Sequence, residues 1–230
     1  MVKSIYLFTV LLMIVTTSLA FSATKYVGID DKTGGTWEQK YGADGYIFCN
    51  TNGPQGTIVD GADAVMKNDV VKLPNYVEKY SLGGGIQGYV WQVNDAKPKI
   101  LKTPDGVQNS ACWFTGKGDF TVDFTLKRTA SFTMAIYIDD WENGGRKESL
   151  TLKDPKNGDE LAKSDDFEQF GVIGRYVNFQ VDRSVQLLVH YIPSYANAVV
   201  SGVFFHGGGL VVISPESKLA ITWAQMKKAE

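Results

Sequence analysis

The stretch "FTVDFTLKRTASFTMAIYI", Phe120 to Ile138, decides the fold. Its first seven residues place Phe120, Val122, Phe124 and Leu126 on one face and Thr121, Asp123 and Thr125 on the other, the two-residue period of a half-buried strand. The last seven repeat the pattern with Phe132, Met134, Ile136 and Ile138. Lys127 to Ser131 is short enough to be a hairpin turn, so the spacing predicts two antiparallel neighbours.

The same reading extends in both directions. Downstream, "ESLTLKD" is a short strand, and "DPKNGDEL" carries Pro155 and Asn157-Gly158, a turn signal that leads on to "RYVNFQV", "VQLLVHY" and "AVVSGVFFH". Upstream, "TKYVGI", "GYIFC", "DVVKL", "GYVWQV" and "SACWF" are further strands. Strands this regular, separated by turns and not by helices, predict an all-β chain of antiparallel sheets packed face to face, a sandwich or jelly roll. The last segment, "SPESKLAITWAQMKKAE", reads both ways. Leu219, Ile221 and Trp223 alternate as in a strand, while Ser214-Pro215-Glu216 resembles a helix start.

Lys3, the apolar run Ile5 to Val15 and the small residues Ser18, Ala20, Ser22 and Ala23 have the order of a cleaved secretory signal over residues 1–22. The run falls short of the about 20 apolar residues a membrane span needs. A secreted location, extracellular or periplasmic, is therefore expected, with no membrane span after signal removal. Residues 23–212 then form one β-sandwich domain, with 213–230 as a C-terminal tail. The 230 residues carry 23 basic and 25 acidic side chains, a net charge of −2, so no basic footprint for nucleic acid is present. Cys49 and Cys112 sit in strand-like surroundings, and in an oxidising compartment they form either a disulfide or two buried thiols.

Few motifs carry chemistry. "GGGIQG", Gly83 to Gly88, fits a dinucleotide-binding glycine pattern, but a strand-like "YVWQV" follows where a helix is required. His190 and His206 are the two histidines, and no HExxH or CxxC spacing accompanies them. No cofactor is expected. Calcium has two acidic candidates, Asp30-Asp31 and Asp139-Asp140, neither in EF-hand order. The 25 acids offer many carboxylate pairs for a glycosidase and single out none.

Aromatic residues beside polar ones are more informative, because a sugar ring stacks its C–H face on Trp or Tyr while its hydroxyls need amides, carboxylates or guanidinium groups at the rim. Trp141, Asn143 and Arg146 in "DDWENGGR" have this mixture. Trp37, Gln39, Tyr41 and Asp44 in "GGTWEQKYGADGY" have it too. Trp37, Tyr41, Trp141, Asn143 and Arg146 are thus the candidate ligand-binding residues. The competing reading makes each Trp a lid on the core, "NGG" a generic turn and Arg146 a surface partner of Asp139 or Glu148.

Four segments together, "GGTWEQKYGADGYIF", "ACWFTGKGDFTVDFTL", "AIYIDDWENGGRKESLTLKD" and "YANAVVSGVFFH", resemble a bacterial extracellular β-sandwich domain similar to galactose-binding-like, carbohydrate-binding-module-like jelly rolls. The resemblance runs from about Thr24 to His206, with an insertion-like loop region at about 59–102. It implies a carbohydrate ligand held by loops at one end of the sandwich, around Trp37 to Asp44 and Asp139 to Arg146. The expected function is a secreted, non-catalytic carbohydrate-binding protein. A structural or adhesive protein-interaction module is the alternative, and a polysaccharide hydrolase comes third.

Overall fold

The computed structural model describes residues 23–116, 118–168 and 170–210. The signal segment expected at residues 1–22 and the tail at 213–230 lie outside the described residues. Among the described residues, no helix is long and apolar enough to cross a membrane.

In chain order the strands are β1 (Lys25–Asp30), β2 (Gly45–Phe48), β3 (Val59–Asp60), β4 (Val70–Lys72), β5 (Val77–Gly83), β6 (Gln87–Gln92), β7 (Ser110–Phe114) and β8 (Phe120–Leu126). There follow β9 (Ala130–Ile138), β10 (Lys147–Lys153), β11 (Glu160–Lys163), β12 (Phe167–Glu168), β13 (Arg175–Val181), β14 (Val185–Tyr191), β15 (Val199–Val200) and β16 (Gly202–Leu210). One short helix, α1 (Ala62–Met66), and a 3₁₀ turn at Trp37–Gln39 complete the described elements. The first sheet runs β1-β13-β9-β16-β2-β4 and the second β11-β10-β14-β8-β5, with β12 also on β10. A third, smaller sheet runs β15-β7-β6-β3. Neighbouring strands pair antiparallel throughout, as in an all-β sandwich.

The expected hairpin at Lys127 to Ser131 is not there. β8 pairs with β14 and β5 in the second sheet, whereas β9 pairs with β13 and β16 in the first. The short link arches from one sheet to the other, because the apolar faces of the two strands look at each other across the core. Phe205 of β16 shows this directly, with its ring 5.7 Å from that of Phe124 and 6.0 Å from that of Phe132. Asp182 to Ser184 makes the same crossing from β13 to β14.

The first sheet is also covered on its outer side. Phe48, Ala135, Tyr137, Tyr176 and Phe204 alternate with the core-facing residues of their strands, and Trp37, Tyr41 and Leu101 pack over them in a second apolar cluster. This explains why β9 is buried on both faces from Met134 to Ile138. Gly42, at φ 72°, lets the chain turn under the Trp37 ring, which a Cβ at that position would overlap. The insertion-like stretch 59–102 contributes β4 to the first sheet, β5 to the second, and β3 and β6 to the third, so it is woven into the architecture and not looped out of it.

Candidate functional site

The segment between Ile138 and Lys147 carries the chain from the first sheet to the second. Its organiser is Asp140. One carboxylate oxygen accepts the backbone N–H of Gly144 at 3.0 Å, and the other those of Gly145 at 3.0 Å and Arg146 at 3.2 Å. The Arg146 guanidinium closes the ring, with Nη1 2.8 Å from Asp140 Oδ1 and Nη2 2.9 Å from Glu142 Oε2. Asn143 at φ 54° and Gly145 at φ 73° supply the left-handed backbone that so tight a wrap requires.

Lys99 fastens this loop from below. Its buried ammonium donates to the carbonyls of Asp140, Trp141 and Gly171 at 3.0, 3.2 and 2.7 Å, and lies 3.2 Å from the Asp139 carboxylate. Burial nevertheless pushes the Asp139 pKa up to about 7 against the pull of Lys99. Glu148, fully buried at the start of β10, is pushed up to about 8 by burial, although it accepts the Val199 N–H at 2.8 Å.

In each calcium candidate one carboxylate, Asp30 or Asp140, is engaged by the protein. Asp30 receives hydrogen bonds from the Lys32 and Thr33 backbone, the Thr33 hydroxyl, Lys40 and Tyr41. Burial alone would raise its pKa, but these bonds outweigh it and hold Asp30 well below the usual carboxylate range. No cluster of three or more His, Cys, Asp or Glu side chains that would suit a metal occurs among the described residues. Cys49 and Cys112 are both buried free thiols.

The five predicted ligand residues do not converge. Trp37 and Tyr41 are core residues, 5% and 3% exposed. Trp37 donates Nε1–H to the Lys102 carbonyl at 2.8 Å and packs against Tyr46, Phe48 and Phe204, while Tyr41 stacks on Tyr176 at 4.1 Å and bonds Asp30. Covering the outer face of the first sheet leaves neither ring free for a ligand. Arg146, a predicted ligand residue, is 3% exposed and pairs with Asp140 and Glu142, which are not the partners, Asp139 or Glu148, that the competing reading gave it. Asn143 is exposed.

Trp141 is half-buried, and its ring is occupied by the protein. Its Nε1–H is donated to Asp95 Oδ2 at 2.6 Å, Lys97 Nζ lies 4.4 Å from the ring centre, and Trp91 stacks on it with centroids 6.1 Å apart and planes 14° from parallel. Burial works to raise the Asp95 pKa, but hydrogen bonds from Trp141, Ser110 and Lys97 prevail and lower it.

Two further half-exposed aromatic side chains stand on β6. Its residues alternate between buried Gly88 and Val90 and half-exposed Tyr89 and Trp91, so both large rings stand on the outward face. With Phe114 of β7 they line a cleft of about 300 Å³, whose polar side is formed by Glu142, Arg146 and Asn197. The Arg146 guanidinium carbon sits 5.7 Å from the centre of the Trp91 ring. The loop Asp139 to Arg146 therefore contributes its charged groups to the cleft, and β6 contributes the platform. Tyr89 and Trp91 were missed because "GYVWQV" reads simply as a strand; two bulky aromatics two residues apart, opposite Val90, were the available signal.

No family model matches the chain, and no curated protein matches it. Among solved structures, a GH29 fucosidase of Ruminococcus gnavus in complex with fucose is similar over 53% of this chain and 25% of its own, at 12% identity and a TM-score of 0.32. An exo-β-1,3-galactanase of Phanerochaete chrysosporium with galactose is similar over 65% of this chain and 41% of its own, at 10% identity and a TM-score of 0.30. The chain thus spans well under half the length of either, and likenesses this distant assign it neither an activity nor a ligand.

Proposed function

We propose that this chain is a secreted, non-catalytic carbohydrate-binding sandwich of galactose-binding-like jelly-roll type, which takes a sugar ring in the cleft beside Trp91. The observation that carries the reading is the pairing, in one cleft, of the half-exposed Tyr89 and Trp91 rings with Glu142, Arg146 and Asn197. An apolar platform with a few convergent polar groups suits a sugar's C–H face and hydroxyls. Phe114 and the Trp91–Trp141 stack fix the platform, and the Asp140–Arg146 ring fixes the polar side, so the ligand meets a preorganised surface.

A binding role is favoured over hydrolysis because Glu142, the carboxylate that lines the cleft, is ion-paired with Arg146 at 2.9 Å. Glycoside hydrolysis asks for two carboxyl groups facing each other across the bond to be cut. The test is a glycan array probed with the purified protein, covering neutral and acidic glycans. Binding to a defined subset is expected, and an array blank throughout would remove the proposal.

A further inference from the structure

A second cleft, of about 440 Å³, lies on the other side of Arg146 and is lined by Asn143, Glu168, Val172 and Tyr195 together with Asp140 and Arg146 itself. The two clefts share Arg146 in their linings, so this residue and its bridge partner form the ridge between them. Arg146 and Ala196 form an isolated parallel bridge, and residues from both bridged segments are divided between the two clefts. Glu142 lines the first cleft and Asn143 the second; Asn197 lines the first and Tyr195 the second. Arg146 lines both, and its Nε is buried with no hydrogen-bond partner among the described residues.

The second cleft is more polar than the first, with one aromatic ring, Tyr195, and one aliphatic side chain, Val172, among Asp140, Asn143, Arg146 and Glu168. Tyr195 is 41% exposed and Val172 86% exposed, and both line the same cleft beside polar groups. Lys147 Nζ stands 5.5 Å from the Tyr195 ring centre. Arg146 is paired with both Asp140 and Glu142, and Glu168 adds a further carboxylate to the second cleft, so the lining residues of neither cleft carry net positive charge. An anionic sugar therefore finds no free guanidinium in either cleft.

We infer that the ligand is a neutral oligosaccharide lying across the Arg146–Ala196 ridge, with one ring against Trp91 and further rings against Tyr195 and Val172. This rests on the carbohydrate reading of the first cleft and extends it to ligand length and charge. Asn143, exposed at the rim, then acts as a hydroxyl partner in the second cleft and not in the first.

Calorimetric titration of the purified protein with cello-, manno- and galacto-oligosaccharide ladders of two to six units, and with oligogalacturonates of the same lengths, tests it. On one neutral ladder the affinity is expected to rise by about tenfold or more with length. The ratio of long-chain to short-chain affinity should collapse toward one in Tyr195→Ala and in Val172→Asp, and the oligogalacturonates should bind more weakly than the neutral chains. Length-independent binding, a length gain retained in both variants, or tighter binding of the anionic ladder would overturn the inference while leaving the Trp91 cleft as a sugar site. Absence of binding on every ladder would overturn both.

Discussion

The Trp141 indole lies parallel to that of Trp91, 14° apart with centroids at 6.1 Å, and its Nε1–H is held by Asp95 at 2.6 Å. Trp141 therefore backs the platform, and Trp91 presents it. Trp141→Ala removes a half-buried ring and leaves the buried Asp95 short of a donor, so a loss of about 3 kcal/mol is expected, near the low end for large aromatic truncations. Trp141→Phe restores the stacking surface without the donor and should recover only part of it. Denaturant unfolding checks this, and a Trp141→Ala protein that unfolds with wild-type midpoint and slope would contradict it.

Arg146 is expected to behave as a buried charge. Removing it leaves Asp140 and Glu142 without their partner, and Arg146→Ala should cost about 3–5 kcal/mol. Arg146→Lys should rescue little, because a point charge cannot reach both carboxylates as the guanidinium fork does. Thermal unfolding of the two variants measures the difference, and a cost within the about 0–1 kcal/mol of a surface pair would show the site to be solvated.

Lys99 is the second anchor. Its ammonium satisfies three backbone carbonyls and neutralises Asp139, so Lys99→Met should destabilise by about 3–5 kcal/mol. Adding Asp139→Asn removes the orphaned carboxylate. The double variant should then be more stable than Lys99→Met alone, a coupling that a double-mutant cycle reads directly. Strict additivity would mean that the two groups do not interact.

Stability should also fall as pH rises. Glu148 has its pKa raised from 4.5 to about 8, and Asp69 from 3.8 to about 7, both by burial. Below their unfolded values both states hold the proton. Between the unfolded and folded values only the folded state does, so raising the pH through this window favours unfolding. Tm is expected to decline through this window up to about pH 8, with each kcal/mol lost worth about 2–4 °C in a domain of this size, and to fall again in strong acid as Asp30 and Asp95, whose pKa values are lowered, take up protons. Glu148→Gln should flatten the slope, and an unchanged slope in that variant would assign the dependence elsewhere.

Much of the sandwich was legible because alternation survives wherever one face of a strand is buried, as in Phe120, Val122 and Phe124. Sheet membership was not, since a short link reads alike whether its strands lie side by side or face each other, and β8 and β9 face each other. Trp37 and Tyr41 looked like a site because glycine and polar residues flank them. Nothing local reveals that the outer face of the first sheet also needs a lid. The chemistry of "DDWENGGR" is inward: Asp140 and Arg146 hold each other, and Arg146 lines a cleft whose aromatic rings a different strand supplies. That platform depends on the third sheet, which sets β6 beside the loop and which no spacing in the sequence announces.

Trp91 carries the central claim, and affinity electrophoresis in native gels cast with the polysaccharide that the array identifies tests it most directly. The wild-type protein and Trp37→Phe, altered in the core cluster, should both be retarded by the polysaccharide. Trp91→Ala, still folded by its far-UV spectrum, should migrate as it does in a gel without it. Equal retardation of Trp91→Ala and wild type would contradict the assignment of this cleft as the carbohydrate site.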